Sequence, residues 1–372
     1  MTNDIADAVA FAPIDYLAWA KNPPAAKLHL NRSYAPTRTL AELRERFGLG
    51  ELSLDPPSPE HFHRLPRWIA ERFGVSLDRV LPASSCSLSN QLAMAAALQT
   101  DPSGRREVLV ETPVYEPLPR QARAAGGEVK PVRVWRGGEL DLRPMIEAIS
   151  ERTALVVLTH PHNPSGAVVS IEQLAELCDR AANCGARVLV DEVYREFRPP
   201  EEAVSAVELG PNVIVTESLS KCDGLPQLKV GWLVGPPDVI AAAGQVYDHL
   251  SVSIPWINQQ IALAALEHRD TLLAEARRLA ETREAMVHDR LGHRDDCIWH
   301  RPAAGVVGVL EPRGCDGTTF ARTLLERFDT LVVPGHFFAM PEGVRLGVAG
   351  EHLESALDQV VACLDHIGGG GA

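Results

Sequence analysis

The sequence predicts an α/β protein. A large domain would hold a mostly parallel, seven-stranded-type sheet covered by helices on both faces, and a smaller α+β domain would follow. Two observations carry this expectation. Between residues 107 and 235 five short runs rich in Val, Ile and Leu are interleaved with helical patterns, the order of strands joined by crossover helices. Beyond Pro255 the texture becomes one long helical pattern, followed by strand, helix, strand, strand and helix.

The five runs are EVLVET (107–112), TALVVLTH (153–160), RVLVDE (187–192), NVIVTE (212–217) and KVGWLVG (229–235). They are nearly continuous in apolar residues rather than alternating, as strands buried on both faces are. The clearest helix opens at Ser170, a side chain suited to capping, with Gln173 placed to complete a capping box. Ile171, Leu174, Leu177, Cys178 and Ala181 mark its apolar face, and Gly185 ends it. The stretch NQQIALAALEHRDTLLAEARRLAETREAMVHDRL contains neither Pro nor Gly and is expected to be a long helix bridging two bodies. The expected organisation is an N-terminal segment (1–50) packing with the small domain, a large domain (51–275), a small domain (276–366) and a flexible tail (367–372) ending in GGGGA.

With 372 residues, 45% hydrophobic and 23% charged, the chain can bury a full core. A formal net charge of -13 and scattered basic residues argue against a nucleic-acid or anionic-membrane partner. The N-terminal stretch MTNDIADAVAFAPIDY lacks the basic and apolar regions of a secretory signal. Apolar runs such as ALVVL are far shorter than a membrane span. Seven cysteines without C-x-x-C spacing are expected to be reduced thiols in a cytoplasm. The pairs His61/His63 and His160/His162 lack a metal-binding helical pattern, so no metal is expected.

Several residues stand where the runs end. Asn163 lies in the turn-forming HPHNPSG, and Asp191 and Tyr194 lie in VLVDEVYREF. Lys221 follows Ser218-Leu219-Ser220. Each has an ordinary reading alone: a turn, a surface acid, a loop lysine. A lysine at a strand mouth can be a surface charge, an anion ligand or a covalent catalyst. Their conjunction is more specific. Asn163, Asp191-x-x-Tyr194, Ser218-x-x-Lys221 and a cation eight residues on, Lys229, come in this order at the ends of successive runs.

In this the chain, from about residue 50 to 365, resembles the fold-type I pyridoxal-phosphate enzymes, specifically the class I/II aminotransferase superfamily. The resemblance implies the PLP transferase fold, pyridoxal 5′-phosphate as cofactor and a homodimer acting on an amino acid and a 2-oxo acid. Lys221 would hold the cofactor aldehyde as a Schiff base and move a proton. Asp191 would keep the pyridine nitrogen protonated. Asn163 and Tyr194 would donate to the ring oxygen, and Tyr115 of VETPVYEPL would lie over the ring. Ser87, Leu88 and Ser89 would hold the phosphate at a helix start, with Ser218 supplying a second hydroxyl. Arg345 of GVRLGVAG matches the arginine that binds the substrate carboxylate. Arg32 and Tyr34, on the N-terminal strand, are candidates for specificity, and His336 for substrate contact.

The chain departs from the family pattern at three points. Ser87 is aligned with the usual first glycine of the phosphate loop. Lys229 replaces the usual arginine, keeping a charge but losing the bidentate fork. SLDPPSPEHFHR lacks the tyrosine that relatives extend to a partner subunit. Cys86 and Cys222 are read as small packing residues. Transamination of an L-amino acid is the leading expectation. The alternatives are a lyase, cyclase or oxidase of specialised metabolism, some relatives of which act on arginine, and a non-catalytic binding domain.

Overall fold

The computed structural model describes residues 11–56 and 58–369. The first ten residues of the N-terminal segment, Pro57 and the last three residues of the tail lie outside the described residues. The central sheet has seven strands: β1 (Val80–Ala83), β2 (Glu107–Thr112), β3 (Glu128–Arg133), β4 (Thr153–Thr159), β5 (Arg187–Asp191), β6 (Val213–Ser218) and β7 (Gly231–Val234). Their spatial order is β1-β7-β6-β5-β4-β2-β3. Only β7 runs antiparallel to its neighbours; the pairs β6–β5, β5–β4, β4–β2 and β2–β3 are parallel. Strands β1 and β3 fall outside the five apolar runs. Both are edge strands and contain Pro82 and Pro131, residues that the middle of a sheet excludes.

The continuous apolar character of the inner strands has its cause in two separate cores. Val156, Leu158, Val188, Val190, Val215 and Trp232 pack into one, while Leu155, Val157, Leu189, Ile214 and Leu233 pack into the other. Five helices matter to the site: α1 (Asp15–Lys21), α2 (Cys86–Gln99), α3 (Ile171–Asn183), α4 (Trp256–Leu266) and α5 (Arg269–Leu291). In α3 Ser170 Oγ accepts from Gln173 N at 3.2 Å, and Leu174, Leu177, Cys178 and Ala181 are buried. The capping box is only half formed. The Gln173 side chain turns away to donate to Asp141 Oδ1 at 2.9 Å and accept from Leu142 N at 3.2 Å.

The expected long helix is two, broken at Glu267 and His268. The break lets Arg269 turn inward and become buried. Its Nε donates to Asp223 Oδ1 at 2.8 Å, Nη2 pairs with Glu217, and the guanidinium lies 5.6 Å from the Trp232 ring centroid. Arg195 joins the same buried cluster through Glu217 (2.9 Å), Glu196 (3.0 Å) and Glu192 (3.2 Å). Helix α5 then passes from one core to another. Leu272 belongs to the first sheet core, whereas Leu273, Ala276, Val287 and Leu291 belong to the core of the small body.

That small body contains a four-stranded antiparallel sheet of Cys297–His300, Val307–Pro312, Val344–Gly347 and Val333–Pro334, in that order. The N-terminal segment is divided between the two bodies, contrary to the expectation that residues 1–50 pack with the small one. Leu28–His29 pairs in parallel with Thr330–Leu331, but the helix Leu40–Phe47 buries Leu43 and Phe47 in the large-domain core. The C-terminal helix, Leu353–Gly369, runs into the expected tail because Ile367 still packs on the small-body core.

Removing Arg269 would leave Glu217 and Asp223 as buried acids without that cation. Arg269→Ala is expected to cost about 3–5 kcal/mol of stability, read from urea unfolding of the purified protein.

Candidate active site

The carboxyl ends of β4, β5 and β6 and the turn after β6 open onto one cavity of about 320 Å³, which the small body closes with Arg345. Asp191, the last residue of β5, is buried at the edge of this cavity. Asn90 Nδ2 of α2 donates to its Oδ2 at 2.8 Å. Val193 N and Cys86 Sγ approach its Oδ1 at 3.1 and 3.3 Å. Thr216 Oγ1 of β6 donates to Asn90 Oδ1 at 2.5 Å, so the Asn90 amide can present only its NH₂ to Asp191. No cation of the described residues forms an ion pair with this carboxylate. Burial raises its pKa above the ordinary value, against the lowering effects of Asn90, Val193 N, Cys86 and Lys221. Cys86, expected only to pack, is thus a hydrogen-bond partner of the acid.

Lys221 follows β6 in a turn. Its Nζ donates to Ser33 Oγ at 2.8 Å, and Tyr194 Oη donates to the carbonyl of the same Ser33 at 3.1 Å. Ala35 N donates to the Lys221 carbonyl at 2.8 Å, tying the N-terminal segment to the lysine. The residue of RSYAP that holds the site together is therefore Ser33. Arg32 is exposed and does not line the cavity; its backbone packs against Gly347, where a Cβ would lie 1.7 Å from the Arg32 oxygen. Tyr34 does line the cavity, its ring centroid 5.9 Å from Lys221 Nζ.

The turn that opens α2 lies ahead of Ser87, Leu88 and Ser89, which the sequence reading set before the helix. Ser85 has φ +94°, a left-handed conformation that favours glycine, and α2 starts at Cys86. Ser85, Cys86 and Ser87 line the cavity; Leu88 and Ser89 do not. Leu88 packs against a sheet core, and Ser89 Oγ bonds back to the Ser85 carbonyl at 3.1 Å, since both sit inside the first helical turn. Gly231 of β7 permits this loop, for a Cβ there would lie 2.7 Å from Ser85 C and 2.8 Å from Cys86 N. Ser218, Ser220 and Lys229 line the same end of the chain's turn, and Lys229 is itself left-handed at φ +54°. The helix start offers unpaired N–H groups, and the lysine offers charge.

Asn163 and Arg345 meet across the two bodies, Arg345 Nη1 donating to Asn163 Oδ1 at 3.1 Å. Tyr115 also lines the cavity, whereas His336 is absent from its lining and bonds to Thr318 Oγ1 at 3.1 Å. Tyr16 of α1, Ser33, Asn90 and Ser220 were not singled out by sequence reasoning. Tyr16 sits in a stretch with no core pattern, and Asn90 lies one turn into an apolar helix.

The donor set fits pyridoxal phosphate on this structure's own chemistry. A buried carboxylate without a cation suits a protonated pyridine nitrogen. An amine, an anion-type loop and a buried arginine surround the same cavity. The site turn is secured by His162, whose Nδ1 and Nε2 lie 2.7 Å from Ser165 Oγ and 2.8 Å from the Pro113 carbonyl. Among the described residues no cluster of three or more His, Cys, Asp or Glu side chains could hold a metal ion.

The model of the family Aminotransferase class I and II matches residues 18–364. Capreomycidine synthase of Streptomyces vinaceus is 35% identical over 256 residues, covering 65% of this chain and 63% of that protein, under two thirds of its length. An aromatic amino acid aminotransferase of Nocardia farcinica is 30% identical over 330 residues, covering 81% and 88% of the two chains. The crystal structure of an aspartate aminotransferase from Thermotoga maritima superposes with a TM-score of 0.79 at 25% identity, covering 94% and 95%.

Two predictions follow from the site's surroundings. Burial lowers the pKa of both His160 and His162 to about 4. Their contribution to stability is complete above the unfolded value near 6.5 and is lost as pH falls from there toward 4. The thermal midpoint should drop across that window, and His162→Gln should flatten the slope. Asn90→Ala would strip Asp191 and Thr216 of a shared partner. A loss of about 1–3 kcal/mol in urea unfolding is expected.

Proposed function

Because the chain belongs to the class I and II aminotransferases, a family of pyridoxal-phosphate-dependent enzymes, we propose that it transfers an amino group between an L-amino acid and a 2-oxo acid. The observation that carries the reading is the buried, cation-free Asp191 on the same cavity as the Lys221 amine, with Arg345 on the facing body. When bound, the cofactor supplies an aldehyde for amines and a cationic ring that accepts the electron pair left at the substrate Cα.

The chain's residues divide that work. Asp191, oriented by Asn90 and Val193 N, would hold the proton on the ring nitrogen. Lys221 Nζ would hold the aldehyde carbon and would be the base for the substrate Cα proton. Asn163 and Tyr194 would orient the ring oxygen, and Tyr115 would cover a ring face. Ser85, Cys86 and Ser87 at the start of α2, with Ser218 and Lys229, would hold the phosphate. Arg345 binds the substrate carboxylate and fixes which Cα bond faces Lys221.

We place the enzyme in the cytoplasm as a homodimer. Its seven unpaired thiols suit a reducing compartment, and the exposed Leu54, Leu250 and Val252 suit a subunit contact. No helix of the described residues is long and apolar enough to cross a membrane. A second reading, a pyridoxal-phosphate enzyme outside transamination, is favoured by one observation, the 35% identity to a synthase.

Incubating the holoprotein with single L-amino acids and no acceptor separates the two. Transamination should release 2-oxo acid only up to the amount of enzyme, with the cofactor spectrum shifting to its aminated form. Repeated turnover without acceptor, or oxygen uptake, would support the second reading instead. Lys221→Ala should abolish release in either case, and normal turnover by that variant would defeat the assignment.

A further inference from the structure

Arg345 is fully buried, and every partner it has among the described residues is neutral. Nη1 donates to Asn163 Oδ1 at 3.1 Å. Nη2 donates to Tyr16 Oη at 3.1 Å and to the Asn31 carbonyl at 3.4 Å. Nε is buried with no partner. A buried guanidinium so arranged awaits an anion, since leaving its charge unpaired is costly.

Tyr16 stands at the same spot for reasons of its own. The N-terminus of α1 is tied to the large body by Glu116, whose carboxylate accepts from Asp15 N at 3.3 Å and Tyr16 N at 2.7 Å. The Tyr16 ring is wedged among Tyr115 (centroids 5.5 Å), Phe338 (5.5 Å) and Phe337 (5.9 Å). Its position is therefore set by ring packing and by the Glu116 tie, with the hydroxyl left to act. The phenol oxygen accepts from Arg345, and its own proton has no acceptor among the described residues. Burial pushes the phenol pKa up, but the charges of Arg345 and Lys221 outweigh it and leave the group more acidic than usual. A phenol beside two cations is a stronger hydrogen-bond donor to an anion.

We propose that Tyr16 is a ligand of the substrate carboxylate: its oxygen accepts from Arg345 Nη2 while its proton is donated to the carboxylate that Arg345 binds. Helix α1 is then part of the amino-acid site and not only its cover. The inference rests on the reading of Arg345 as the carboxylate-binding residue, and the test separates the two.

The probes are 2-methylalanine, which has no Cα proton to lose, and its carboxamide, which has no carboxylate. Their dissociation constants are read from the cofactor absorption of the holoenzyme. Tyr16→Phe keeps the ring contacts, so the variant should fold, its thermal midpoint lowered only by the loss of the hydrogen bond from Arg345 Nη2. It should weaken 2-methylalanine about 10-fold, the scale of one charge-assisted hydrogen bond, and leave the carboxamide unaffected. Equal binding of 2-methylalanine by variant and wild type would overturn the proposal. So would equal weakening of acid and carboxamide, which would make Tyr16 a wall and not a ligand. Arg345→Gln serves as the control. If it leaves 2-methylalanine binding intact, the reading of Arg345 fails, whatever Tyr16 does.

Discussion

The interaction on which the rest of the structure depends is the buried pairing of Arg269 with Glu217 and Asp223. Glu217 belongs to β6 and Asp223 follows Lys221 by two residues, so the arginine grips the chain on both sides of the lysine. Buried charges of this kind add little net stability over an apolar core, because desolvation offsets most of the attraction. What they add is geometry. A planar guanidinium with fixed donors accepts few arrangements of the acids around it, and the turn carrying Lys221 inherits that restriction. Arg195, sharing Glu217, extends it to the segment after Tyr194.

Above this base the site is assembled from segments far apart in sequence, each brought by a different physical cause. The strand ends deliver Asp191 and Ser218 because parallel strands buried on both faces finish at one edge of the sheet. Ser85 can turn sharply because Gly231 offers no Cβ beside it. Ser33 serves Lys221 and Tyr194 at once because the N-terminal segment is clamped by backbone hydrogen bonds to the small body and to the lysine itself.

How much of this was legible in the sequence follows from the same causes. The inner strands could be read because two cores require apolar residues on both faces. The residues at their ends could be read because chemistry limits them to an amine, a carboxylate and their donors. The edge strands β1 and β3 could not, since they bury less and tolerate proline. The start of α2 reads too late in the sequence because the left-handed residue before it is Ser85, where a glycine would mark the turn. Ser33 was passed over for its larger neighbours Arg32 and Tyr34. Asn90 and Tyr16 depend wholly on tertiary contacts, with Thr216 and Arg345, that no local pattern announces. The break before Arg269 was hidden because nothing in LEHRD forbids a helix; the buried acids decide it.

Helix α5 has a mechanical meaning beyond its packing. It is pinned at its first residue under Lys221, and its later turns carry the small body that brings Arg345 to the cavity. A helix of 23 residues is about 35 Å long, so a tilt of about 5° at Arg269 moves its far end by about 3 Å. The separation between amine and guanidinium is thus governed by an angle at one pivot, and the charge cluster is that pivot's bearing.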